Sequence, residues 1–214
     1  MNVKAEHKYF LNRATLLSRF CIYEVKAKNM GRILSFYITE AQLISALRNF
    51  DSKAQRKLYE KYSKKMMGIC YRYLNDDVIA EDVMIEGFMK IFNCISQFSE
   101  TGSLEGWMRR IMVNESLGYL RKHKKTFFEG FSEEVMGFSD GQFCDQNLKV
   151  EELMKMIHKL PLGYQTVFNL YAIEGYAHIE IAEMLNISES TSKSQLHRAR
   201  MVLQKMLIQE ERTS

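Results

Sequence analysis

Between Asp51 and Tyr73 the apolar residues Ala54, Leu58, Tyr62, Met66, Ile69 and Tyr73 recur at intervals of three and four. That period fits an α-helix and excludes a half-buried strand, so an amphipathic helix is predicted, capped by Asp51 or Ser52 and ending near Asn75-Asp76-Asp77. A second helix is predicted from about residue 78 to 95. Ala80, Val83, Gly87, Ile91 and Ile95 share one face, while Asp82, Glu86 and Lys90 line another at i, i+4 spacing. Residues 96–103 read as a loop. Ser103 then caps a third helix with Leu104, Trp107, Met108, Ile111, Leu117 and Leu120 inside. Three helices over ~75 residues make one bundle.

Composition agrees. One proline and 11 glycines in 214 residues are too few to punctuate an all-β chain, and 14 methionines favour long helices. With 46% hydrophobic and 26% charged residues the chain can build a packed core and is not globally disordered. An all-α fold is expected: two helical domains, at 49–125 and 147–209, joined by an acidic linker at 126–146. Residues 1–48 form an unassigned N-terminal extension with two weakly patterned apolar stretches. In the second domain, short helices are expected at 148–160, stopped by Pro161, at 164–174, ended by Gly175, and at 178–185. A turn at Asn186-Ile187 precedes a last helix that opens at Ser188 and buries Ser192, Leu196, Ala199, Leu203 and Met206.

The four cysteines lie far apart with no C-x-x-C pair, and the five histidines are scattered, which gives no metal-site spacing. Reduced thiols in a cytoplasmic protein are the expectation, with no metal and no cofactor. No stretch approaches the ~18 apolar residues of a membrane span.

The net charge of +4 is unevenly distributed. Arg109, Arg110, Arg121, Lys122, Lys124 and Lys125 face only Glu115 between 107 and 125, whereas residues 126–152 set seven acids against Lys149. A basic block beside an acidic one suggests a polyanion-binding patch next to a segment kept out of it. Trp107, beside a polar loop and this positive charge, fits either capture of unstacked bases or a place in the core. The acids Asp76, Asp77, Glu81, Asp82 and Glu86 have no histidine partner and no apolar enclosure. They read as a protein-docking surface rather than a catalytic group.

The last forty residues form a helix-turn-helix pattern. Ser190, Lys193, Ser194 and His197 share a face opposite Leu196 and Leu203, with Arg198 and Arg200 flanking it. Polar side chains on the N-terminal half of such a helix suit the major groove, although a plain helical hairpin with a solvated face has the same spacing.

The segments LYEKYSKKMMGICYRYLNDDVIAEDVMIEGFMKIF and WMRRIMVNESLGYLRKHKK resemble region 2 of bacterial extracytoplasmic-function (ECF) sigma factors. LPLGYQTVFNLYAIEGYAHIEIAEMLNISESTSKSQLHRARMVLQKM resembles region 4 of the same family. The resemblance implies a non-enzymatic factor that binds RNA polymerase core and directs promoter recognition, melting and initiation. It implies that Glu81, Asp82, Glu86 and Phe88 dock on the β′ clamp helices, and that the back of the second domain sits on the β flap. The loop at Phe98 would receive a flipped base, and Arg110, Asn114, Arg121, Lys122 and Lys125 would hold the opened −10 element. Ser190, Thr191, Lys193, Ser194, His197 and Arg198 would read the −35 element. Promoter DNA and an anti-sigma factor are the implied partners, with no small-molecule substrate. Three positions depart from the family's usual residues: Ile85 for Gln, Gly118 for Asp and Ser192 for Val. A stand-alone helix-turn-helix regulator and a helical adaptor that binds no DNA are the rival readings.

Overall fold

A computed structural model describes residues 39–123 and 150–211, and every regular element among them is helical. The expected linker, Lys125 and most of the N-terminal extension lie outside the described residues.

Helix α1 (Glu40–Arg48) opens on reciprocal bonds between Thr39 and Gln42, in which each side chain caps the other's backbone N–H. Its last residue joins the first bundle: Arg48 donates to the Phe98 carbonyl at 2.8 Å and pairs with Glu100 at 2.8 Å. Packing therefore begins before the expected boundary at residue 49, on a helix too short for its period to announce it.

Helix α2 (Ser52–Leu74) starts as expected, with the Asp51 carboxylate accepting from the N–H groups of Lys53 and Ala54. It buries Ala54, Leu58, Tyr62, Met66, Ile69, Cys70, Tyr73 and Leu74 and stops at Asn75, whose left-handed backbone an asparagine tolerates. Helix α3 (Asp77–Cys94) is capped by Asp76. Its Gly87 lies so close to α4 (Leu104–His123) that a Cβ there would collide with the Met112 sulfur. Ser103 caps α4 by accepting from the Gly106 N–H at 3.0 Å. Helices α2, α3 and α4 pack on one another as a three-helix bundle.

The second domain comprises α5 (Val150–His158), α6 (Leu162–Phe168), a wide π turn (Asn169–Ile173), α7 (His178–Leu185) and α8 (Glu189–Glu211). Its core joins Met156, Ile157 and Leu160 to Ala199 and Leu203, with Tyr164, Phe168 and Met206 against them. Ser192, Leu196, Ala199 and Leu203 are buried as the spacing predicted. Asn186, again left-handed, makes the turn between α7 and α8, and the Ser188 hydroxyl accepts from the Thr191 N–H to open α8. No helix among the described residues is long and apolar enough to cross a membrane.

Candidate nucleic-acid interface

The first half of α8 carries an exposed polar face of Ser190, Lys193, Ser194 and His197, with Arg198 half-buried at its edge. Lys193 pairs with Glu189 one turn earlier at 2.7 Å, and the lysine holds the Glu189 carboxyl below its ordinary value. An exposed i, i+4 pair contributes little to stability, so a phosphate or base edge can take Lys193 from Glu189 at small cost. Ser194 turns its hydroxyl back to the Ser190 carbonyl, and Thr191 is tied to Ser188 at 2.7 Å. Thr191 is thus part of the helix cap. Arg200 sits 5.8 Å over the Tyr171 ring.

The seat of this helix explains the departure at Ser192. Its fully buried hydroxyl lies 2.9 Å from His178 Nδ1, and the His178 ring stacks on Tyr171 at 4.5 Å. A hydroxyl is tolerated inside because the imidazole satisfies it. Burial, with Lys193 nearby, pushes the His178 pKa down, which favours the neutral ring.

On the first domain, α4 presents Arg110, Asn114, Arg121 and Lys122 at the surface. Glu81, Asp82 and Glu86 are exposed along α3, beside a Val78 that is 72% exposed. Two expectations are corrected here. Phe88 is only 2% exposed, packed between Tyr59 and Phe92, because it lies on the apolar face of α3 and not on its acidic one. Phe98 is 4% exposed: Arg48 holds its carbonyl, and its ring packs on Trp107 at 5.5 Å. The ring supports the loop from beneath and is not offered to a base. Trp107 itself is half-buried.

The sequence did not single out the group that joins the domains. Glu174, at the end of the π turn, has a side chain 4% exposed that accepts from Arg72 of α2 and, at 2.8 Å, from Arg109 of α4. The Gln165 and Asn169 amides both donate to the Arg72 carbonyl at 3.0 Å. Burial pushes the Tyr176 phenol pKa up, with Arg110 nearby opposing the shift, and Arg121 donates to the Met184 carbonyl at 3.0 Å. The bond to Glu174 holds the Arg109 guanidinium pKa up. No spacing rule signals this cluster, because its members are brought together only by tertiary contact.

Residues 58–126 match the Sigma-70 region 2 family and residues 150–203 match Sigma-70, region 4. The ECF RNA polymerase sigma factor SigW of Bacillus subtilis is 30% identical over 176 residues, which cover 77% of this chain and 94% of the relative. An ECF RNA polymerase sigma-E factor of Haemophilus influenzae is 26% identical, with 78% and 94% covered. The solved sigma factor RpoE of Bartonella quintana, in complex with the anti-sigma factor NepR, aligns with a TM-score of 0.47 at 18% identity. The alignment covers 71% of this chain and 95% of that one.

Proposed function

The chain belongs to the ECF family of RNA polymerase sigma factors, and from that premise we propose how its two domains divide the work of starting transcription. As a sigma factor it binds polymerase core and directs promoter recognition, promoter melting and initiation. It works by binding in the cytoplasm, with no chemistry of its own.

The second domain anchors duplex DNA. Helix α8 enters the major groove of the −35 element, which is wide enough for one helix, and Ser190, Lys193, Ser194 and His197 read base edges while Arg198 reaches phosphate. The observation that carries this reading is the exposed face of those four side chains on a helix seated from behind by the buried Ser192–His178 pair. Thr191 acts through the cap, setting the start of the helix.

The first domain holds the opened −10 element. Separating each base-pair step costs about 1.4 kcal/mol, and stacking an unpaired base on an aromatic ring returns about 1–3 kcal/mol. One such platform offsets about one or two steps, and phosphate contacts and the polymerase core supply the rest. Arg110, Asn114, Arg121, Lys122 and Lys125 supply phosphate contacts, and Trp107, supported by Phe98, is the half-exposed ring at the loop. Core docks through Glu81, Asp82 and Glu86 on α3, with Val78 adding apolar area and Phe88 holding the helix in place. The back of the second domain sits on the β flap, and an anti-sigma factor is the remaining partner.

The assignment is tested by replacing α3 and α8 residues separately. Glu86→Lys should weaken core binding while leaving duplex affinity intact, and Lys193→Glu should do the reverse. Loss of both activities from either single change, in a folded protein, would contradict the division.

A further inference from the structure

We propose that Gly118 is a notch in α4, over which the opened −10 strand passes with its sugar–phosphate backbone against the backbone of the helix. The inference deepens the reading of α4 as the strand-binding helix and rests on it.

The fold gives Gly118 no reason to be a glycine. It lies inside α4, where glycine is less favourable than alanine because its backbone has more freedom to lose. Other glycines have structural causes. A Cβ at Gly87 would strike the Met112 sulfur, one at Gly106 would lie 2.9 Å from the Ser103 hydroxyl that caps α4, and Gly175 takes a left-handed φ of 81°. Gly118 keeps a helical backbone, and a Cβ there would meet nothing within 4 Å among the described residues. Alanine would fit and would strengthen the helix.

What surrounds Gly118 is the strand-binding row itself. At about 100° per residue, Trp107, Asn114, Arg121 and Lys122 all project within about 60° of the direction of Gly118. Asn114, Arg121 and Lys122 are exposed, and Trp107 is half-buried. Hydrogen-bonding and cationic side chains therefore stand one turn before and one turn after a position with no side chain. Glu115, the only acid between 107 and 123, is drawn off to Lys90 of α3 at 2.6 Å, so no carboxylate occupies the row. A glycine bracketed in this way lets a ligand come down onto the helix backbone, and the positive charge on either side selects a phosphate chain. Gly118 also stands where the family usually has aspartate, so the notch is particular to this chain.

Filling the notch should move stability and binding in opposite directions, which a purely structural role would not do. The test uses the full chain assembled with polymerase core. Fluorescence anisotropy reads affinity for a labelled single-stranded oligonucleotide carrying the −10 sequence of a promoter this chain transcribes, and melting of the free chain reads stability. Gly118→Ala should melt about 2–4 °C higher than the wild type. It should bind the oligonucleotide about fivefold more weakly, and Gly118→Leu, with a larger side chain on an equally good helix former, about tenfold or more. Gly68→Ala, at an exposed interior glycine of α2 whose added Cβ also meets nothing within 4 Å, should give the same gain in melting temperature with binding unchanged.

A lower melting temperature for Gly118→Ala would show that the fold needs the glycine and would overturn the notch. An equal loss of binding from Gly68→Ala would assign the effect to helix stiffening, with the same consequence. Asn114→Ala tests the strand-binding reading separately. If it weakens oligonucleotide binding and Gly118→Leu does not, the notch alone falls. If neither weakens it, α4 is not the strand-binding helix and both readings fall.

Discussion

His178 Nδ1 and the Ser192 hydroxyl meet at 2.9 Å between α7 and the fully buried face of α8. This pair ties α7 to the buried face of α8. The groups facing His178 are Lys193 and Glu189 on the first turn of α8, Arg200 further along it, and the Tyr171 ring. Burial lowers the His178 pKa below the ordinary 6.5, so the unfolded chain binds the proton more readily than the folded one. Stability from this group is complete above pH 6.5 and declines as pH falls below it toward the folded value. His158, also lowered by burial, adds in the same direction. Thermal melting from pH 8 to pH 5 should show the decline, and His178→Gln should reduce it, leaving the part due to His158.

Lys193→Glu should weaken binding to a −35 duplex by about 1–3 kcal/mol. Because its pair with Glu189 is exposed, the change in folding stability should stay within about 0.5 kcal/mol. Gel-shift titration and chemical denaturation of the same preparation read the two quantities. A large stability loss would mean that the lysine supports the fold and not the DNA contact.

The two buried aromatics of the first domain predict a different signature. Phe88→Ala and Phe98→Ala should each destabilise the protein by about 3–5 kcal/mol, as truncation of a core ring does. Glu86→Lys, on the exposed face of the same helix as Phe88, should leave stability unchanged and affect only the affinity for core. Denaturant midpoints beside core pull-down measurements distinguish these patterns.

Cysteine reactivity follows burial. The Cys70 thiol is enclosed by the three-helix bundle and its pKa is pushed up to about 11, chiefly by desolvation, whereas Cys94 is only half-buried. An alkylating reagent at pH 8 should modify Cys94 and spare Cys70 in the folded protein, and should modify both in denaturant. Mass spectrometry of the peptides gives the answer.

Local periodicity made most of the scaffold legible in the sequence. The expected face of α2, from Ala54 to Tyr73, is buried, and Ser192 was placed inside from its register with Leu196, Ala199 and Leu203. The burial of Phe88 is legible too: it continues the apolar row of Met84, Ile91 and Phe92, one step from the acids. Phe98 looked like a loop aromatic because its cover comes from Arg48, fifty positions earlier, and from Trp107. Glu174 was beyond local rules altogether. An acid before a helix-ending glycine reads as a solvated terminus, and only the fold brings it to Arg72 and Arg109, 102 and 65 positions away.

The central claim, that this chain makes polymerase core select and open promoters, is tested most directly by run-off transcription. Purified core would be assayed with and without the chain on a pool of promoters from its own genome. Specific transcripts that require both core and this chain, and that disappear with Lys193→Glu, are the predicted result. A chain that shifts duplex DNA on its own, yet neither binds core nor yields transcripts, would contradict the claim and leave a helix-turn-helix regulator in its place.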